Sequence, residues 1–249
     1  MTDHRIVAAE VRGLAKSFGK TKAVDGLDFT VYEGEIFSLL GVNGAGKTTA
    51  VRILSGLTEA DAGTAELFGV KAGTREAAEL IGVSPQESST APNLTVYENL
   101  MLIAKLYGKD GAKARAEEVM RYFDLDDHRD KKSKHLSGGL RRRLSIGMAV
   151  ITEPKLLFLD EPTLGLDVIS RRELHSLIRS LVETKKMTVL MTTHYMDEAE
   201  KLSDRIGIMK NGRMCALGTA DELRKEAGLD TRAAFEEVFI ELCGKDGAR

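Results

Sequence analysis

Three near-continuous apolar runs punctuate the chain: Ile36-Phe37-Ser38-Leu39-Leu40, Leu156-Leu157-Phe158-Leu159 closing on Asp160, and Met187-Thr188-Val189-Leu190-Met191-Thr192. Short runs without polar alternation predict strands covered on both faces, as in a parallel sheet between helices. Weaker β-type segments at residues 7–11 and 26–31, with Gly19, Gly26 and Gly34 as turn residues, predict a small antiparallel sheet ahead of them. Residues 80–83 add a short apolar strand.

Between 95 and 151 the period becomes helical. Thr95-Val96-Tyr97-Glu98 reads as a capping box, and Val96, Leu100, Ile103 and Tyr107 recur at helix spacing. Ala116, Val119, Met120 and Phe123 repeat the pattern on a second helix. Near the C-terminus Ala234, Phe235, Val238, Phe239 and Leu242 form a further stripe, expected to pack on the core. The fold class is therefore α/β: a parallel-sheet core, an antiparallel β-subdomain and an inserted helical subdomain bounded by the loop 84–89 and by Glu153-Pro154.

Composition narrows the partners. The chain has 249 residues, 43% of them hydrophobic, which suffices for a large core. Lys and Arg total 36 against 38 Asp and Glu, a net charge of −2, so no bulk attraction to nucleic acid is expected. Cys215 and Cys243 match no metal or redox spacing and are expected to be structural thiols in a reducing compartment rather than a disulfide. Neither a secretion signal nor a membrane-spanning apolar run is expected from the pattern.

The first candidate chemistry follows the strand at 36–40, where residues 41–49 read GVNGAGKTT and a helical segment follows. Gly41, Gly44 and Gly46 allow a backbone whose N–H groups converge on a phosphate chain; Lys47 adds a cation and Thr48 a hydroxyl for Mg²⁺. Asn43, Ala45 and Thr49 belong to the same cradle, and the helix start directs its dipole at the anion. The ligand class is a nucleoside triphosphate, ATP or GTP.

Four further strings stand in order after it: LSGGLRRR at 136–143, LLFLDEP at 156–162, LGLD at 164–167 and TTH at 192–194. With the phosphate loop, this order resembles the ATP-binding cassette (ABC) ATPases over essentially the whole chain. The resemblance implies a P-loop core of RecA type binding ATP and Mg²⁺. Asp160 is placed like the carboxylate that holds Mg²⁺ opposite Thr48, Glu161 like the one that polarises the attacking water, and Gln86 like the glutamine that reaches metal and water. His194 resembles the switch histidine on the γ-phosphate. Phe18 resembles the aromatic that stacks on adenine, although a phenylalanine near a strand end also reads as core. Leu140 and Leu164 depart from the common Gln and Ser.

In such proteins Ser137, Gly138 and Gly139 cap ATP held by a second, head-to-tail subunit, identical or paralogous, with Asp167 at the interface. The resemblance divides the chain into an ATPase domain at 5–237, with core segments 1–85 and 154–229 and helical subdomain 86–153, and a C-terminal helix at 230–249. It implies an ATPase at the cytoplasmic face of the membrane, docked on a separate permease near residues 87–107, with Leu94, Tyr97 and Met101 as apolar contacts. The tail favours an exporter. A soluble cassette acting in translation or repair, and a nucleotide switch without turnover, are the alternatives; Glu161 and His194 argue against the switch.

Overall fold

The computed structural model describes residues 5–87, 89–107 and 111–244. Strands β1 (Val7–Phe18), β2 (Thr21–Tyr32) and β3 (Ile36–Leu40) lead into helix α1 (Lys47–Leu54). Strands β4 (Ala62–Leu67) and β5 (Val70–Lys71), helix α2 (Arg75–Glu79) and strand β6 (Ile81–Ser84) follow. Then come three helices, α3 (Val96–Leu106), α4 (Ala112–Tyr122) and α5 (Gly138–Val150). The chain returns through β7 (Leu156–Asp160), α6 (Val168–Lys185), β8 (Thr188–Thr193) and α7 (Met196–Leu202). It ends with β9 (Arg205–Lys210), β10 (Arg213–Gly218), α8 (Ala220–Ala227) and α9 (Phe235–Gly244).

Two sheets result. One is antiparallel, ordered β2-β1-β4-β5; the other is ordered β10-β9-β3-β8-β7-β6, with only β10 antiparallel. Every residue of β3, β7 and β8 is buried, which is why their sequences do not alternate. Register brings the strand ends level: Leu40 pairs with Thr193, Asp160 with Thr192 and Ser84 with Leu159. The loops that leave these four strands therefore share one edge, the carboxyl edge where open α/β sheets bind ligands.

Apolar clusters lie on both faces of this sheet. Phe29 of β2 stacks on Phe37 of β3 at 5.4 Å between ring centroids, joining the two sheets. On the other side, Val96, Leu100, Ala116, Val119, Met120 and Phe123 pack with α5, α6 and the sheet. Phe235, Val238, Phe239 and Leu242 of α9 are buried beside β9, β10, α7 and α8, whereas Ala234 precedes the helix and is exposed. Cys243 is buried and Cys215 half-buried. Among the described residues, no helix is long and apolar enough to cross a membrane.

Several expectations change. The β1–β2 pair is far longer than the two segments read from sequence, and Gly26 is not in a turn: it sits inside β2 at φ 71°, where the register slips between Leu14↔Leu27 and Ala15↔Asp25. Strands β4, β5, β9 and β10 had no strong sequence signal. Tyr107 does not continue the buried stripe of α3; it caps the helix C-terminus and is exposed.

Candidate functional site

The phosphate loop is built by close approach of backbone. A Cβ on Gly46 would lie 2.1 Å from the Ala23 carbonyl oxygen, and one on Gly41 2.5 Å from that of Met209. Gly46 also has φ 100° and forms the N-cap of α1 with no side chain capping it, so the first N–H groups of α1 remain for a ligand. The Lys47 ammonium donates to the carbonyls of Gly41 at 2.7 Å and Val42 at 3.3 Å. Burial depresses its pKa below the ordinary lysine value, opposed by the carboxylates of Glu161 and Asp160.

At the end of β7 the two acids have different partners. Asp160 Oδ1 accepts hydrogen bonds from Thr48 Oγ1 at 3.1 Å and Thr192 Oγ1 at 2.5 Å. Glu161 Oε1 lies 3.6 Å from Lys47 Nζ, and Glu161 Oε2 lies 3.1 Å from His194 Nδ1. Both acids are almost fully buried, so these contacts offset a desolvation cost that isolated carboxylates would not bear. The imidazole also packs on Tyr195, with ring centroids 4.1 Å apart.

The structure gathers most of the anticipated site into one cleft of ≈ 510 Å³: Asn43, Gly44, Ala45, Gly46, Lys47, Thr48 and Thr49 on one wall, with Gln86, Glu161 and His194 opposite. Asp160 supports it from beneath through Thr48. Phe18 is not core; it is 54% exposed at the end of β1 with Lys16 Nζ 5.7 Å from its ring centroid, and the β1–β2 hairpin reaches the cleft through Thr21 and Ala23. Gly138 lines a different cleft, which shares Gln86 and Leu164 with the first. Ser137 caps α5 by accepting from Leu140 N at 3.3 Å. Gly139 leaves room for α6, since a Cβ there would lie 2.9 Å from Ser170 Oγ. Asp167 caps α6, accepting from the backbone of Ile169 and Ser170 and from the Ser170 hydroxyl; these bonds, those of Ser170 foremost, hold its pKa below the usual aspartate value.

Sequence reasoning missed two residues. Thr192 orders both acids, because its hydroxyl also accepts from Glu161 N at 3.0 Å. Arg142 is buried behind the acids, whereas Arg141 and Arg143 are only half-buried. The available signal was its spacing: Arg142, Ser145 and Ala149 share a helix face, and the segment beyond Arg143 is small and apolar.

A phosphate loop with its buried lysine, set level with an acid pair on the next strand but one, defines the class as a P-loop nucleoside triphosphatase. The family profile described as ABC transporter matches residues 24–164. The linearmycin resistance ATP-binding protein LnrL of Bacillus subtilis is 43% identical over 226 residues, covering 89% of this chain and 72% of that protein. The Nod factor export ATP-binding protein I of Burkholderia lata is 40% identical, covering 98% of this chain and 79% of its own length. Among solved structures, an ATP-binding subunit of an ABC transporter superimposes with TM-score 0.84 at 30% identity, covering 95% of this chain and 99% of the other. A dimeric ATP-binding cassette in a post-hydrolysis state with ADP and phosphate gives TM-score 0.76 at 25% identity over 85% of this chain and 98% of its own. The chain belongs to the ABC transporter family. It is an ATP-binding, ATP-hydrolysing subunit that powers a membrane transporter.

Proposed function

We propose that this subunit drives an exporter, with Glu161 polarising the attacking water, His194 and Gln86 meeting the γ-phosphate and the water, and Lys47 and the loop 41–49 holding the phosphates. The observation that carries this reading is the single carboxylate of Glu161, set between Lys47 and His194 in the cleft that the phosphate loop lines. Phosphates over the N–H groups at the start of α1 place the γ-phosphorus toward Glu161, which takes up the water's developing positive charge. Water oxygen then bonds to the γ-phosphorus, the bond to the bridging oxygen breaks, and ADP leaves with the electron pair. His194, tethered through Nδ1, presents Nε2 to the transferred group.

Mg²⁺ suits the donors present. Thr48 Oγ1 and the Asp160 carboxylate lie together as hard oxygen ligands, and Mg²⁺ commonly takes one or two protein oxygens beside substrate phosphates. The ion would supply charge neutralisation on the β- and γ-phosphates.

A head-to-tail dimer, of identical or paralogous subunits, accounts for the second cleft. Ser137, Gly138 and Gly139 stand at the start of α5, outside the cleft that the phosphate loop lines, so their contribution to ATP comes from a partner's nucleotide. Phe18 stacks on adenine in this reading. The division at 86–153 marks the helical unit that moves between nucleotide states, within an ATPase domain at 5–237.

The permease docks near residues 87–107, holding the subunit at the cytoplasmic face of the membrane. The apolar face differs from the one read from sequence: Tyr97 lies under the Arg129 guanidinium at 3.9 Å, and Tyr97 and Met101 pack on the core. Leu102, Leu106 and Tyr107 are exposed instead, as is Leu57 across a neighbouring groove. The loop before α3 is tied down, because Asn99 and Ser133 bond its backbone at Ala91; Ser88 lies outside the described residues. Export rests on the drug-resistance and Nod-factor relatives. Purification of the tagged chain from membranes, followed by ATP-driven transport in vesicles containing the co-purified permease, tests the reading. Substrate movement into the ATP-containing compartment would overturn its direction.

A further inference from the structure

We infer that Arg142 is a positioning residue for ATP hydrolysis, a clamp that fixes the backbone of Glu161 and of the Gln86 loop against helix α5. The inference rests on the catalytic reading of Glu161.

Arg142 is buried, and its guanidinium is spent on backbone carbonyls. Nε donates to Pro162 O at 2.7 Å; Nη2 donates to Asp160 O at 2.9 Å and Glu161 O at 2.6 Å; Nη1 donates to Pro85 O at 2.6 Å. Three of these acceptors are consecutive residues centred on Glu161, and the fourth immediately precedes Gln86. A planar fork of donors suits such a cluster, whereas a single ammonium does not.

Glu161 needs holding. It has φ 45°, in the left-handed region that disfavours residues with a Cβ, and such conformers persist when surrounding contacts over-determine them. Here Thr192 fixes the amide, with Glu161 N donating to Thr192 Oγ1 at 3.0 Å and to Thr192 O at 3.2 Å, while Arg142 fixes the carbonyl. The side chain between them reaches Lys47 and His194. Release of the carbonyl lets the residue relax and carries the carboxylate away from both partners.

The same helix face secures the other loop. Ser145, one turn beyond Arg142, has its hydroxyl 3.0 Å from Ser84 Oγ and 3.2 Å from Ser89 Oγ, on the two sides of Gln86. Helix α5 thus grips the backbone next to both residues assigned to the attacking water. The four carbonyls that accept from Arg142 all lie outside the phosphate loop, so ATP binding and turnover separate in the variant.

The test compares Arg142→Met and Arg142→Lys in two backgrounds, native and Glu161→Gln, by single-turnover hydrolysis and by ATP binding. Arg142→Met in the native background should lower the hydrolysis rate by about 10- to 100-fold, the scale of a misplaced catalytic group, with ATP affinity held within about twofold. Arg142→Lys should recover part of the rate. In the Glu161→Gln background Arg142→Met should cost little more, since the effect passes through the missing carboxylate. The same rate loss in both backgrounds, a native rate in Arg142→Met, or loss of ATP affinity would overturn the inference. Should Arg142→Met fail to fold, Arg142→Lys carries the comparison, and a full native rate in it overturns the clamp. Unimpaired hydrolysis in Glu161→Gln alone would instead remove the catalytic reading of Glu161.

Discussion

Glu161 Oε2 sits 3.1 Å from His194 Nδ1, while the other oxygen of the same carboxylate sits 3.6 Å from Lys47 Nζ. One buried side chain thus links the strand end of β8 to the phosphate loop. In the proposed reading, a change at the γ-phosphate would be felt by all three residues together, and Glu161 would answer with charge rather than bulk.

Replacing that charge is the most direct experiment. Glu161→Gln preserves shape and should slow hydrolysis by about a hundredfold or more while leaving ATP bound. The ATP-bridged dimer should then persist in size-exclusion chromatography with MgATP. A monomer under those conditions would count against the bridging role of ATP.

The phosphate loop should tolerate no side chain at Gly46. A methyl there meets the Ala23 carbonyl at 2.1 Å, and φ of 100° excludes alanine independently. Gly46→Ala should weaken ATP binding by about tenfold or more, because the N–H groups of the loop lose their convergence. Titration with a fluorescent ATP analogue reads this; native affinity would mean that the loop is not the phosphate site.

The proposed role of Phe18 is affinity for the base rather than packing of the fold. Being 54% exposed, it contributes little to packing, so Phe18→Ala should leave the melting temperature unchanged. Loss of one base-stacking surface should weaken ATP by about 1–3 kcal/mol, read as a raised Kd. An unchanged Kd would place adenine elsewhere.

How far the sequence reveals this site depends on whether a residue acts through its own local string. The phosphate loop, Asp160-Glu161 and His194 each follow a buried apolar run, so the strand pattern announces them. Arg142 has no such marker. It lies in Arg141-Arg142-Arg143, and only the tertiary fold decides that the middle one is buried while Arg143 pairs with Asp124 and Glu173. Glu198 is similar: it reads as a surface acid on a short helix, yet it is fully buried and accepts from Thr163 Oγ1 at 2.7 Å with His175 Nε2 2.9 Å away. Strands β4 and β10 escaped notice because small and polar residues interrupt them, AGTAEL and RMCALG, and their pairing supplies what hydrophobicity does not.

Helix α6 depends on Asp167 through ionised hydrogen bonds, and pH should reveal it. A carboxylate whose folded pKa is depressed contributes stability above its unfolded pKa, and the contribution disappears as pH falls through the folded value. Asp167→Ala should therefore lower the melting temperature at neutral pH, and the gap from the native chain should close in acid below the ordinary aspartate pKa. Asp167→Asn, itself a good N-cap, should keep most of the stability at neutral pH, and its own melting temperature should lack the fall in acid that the Asp167 carboxylate confers. A gap that stays constant into acid would mean that Asp167 acts through something other than its charge.

The proposed permease surface can be separated from the ATPase site because Leu106 is 70% exposed and lies outside the cleft of the phosphate loop. Leu106→Glu places a charge on the apolar face formed with Leu102 and Tyr107, where a partner helix would have to desolvate it. ATP hydrolysis by the isolated subunit should stay within about twofold of native, since surface substitutions rarely perturb a distant site. Co-purification with the membrane partner should fall by about tenfold or more, the scale of burying an unpaired charge in an interface. Retained co-purification would move the docking surface off α3, and lost hydrolysis in the isolated subunit would show that the helix supports the site itself.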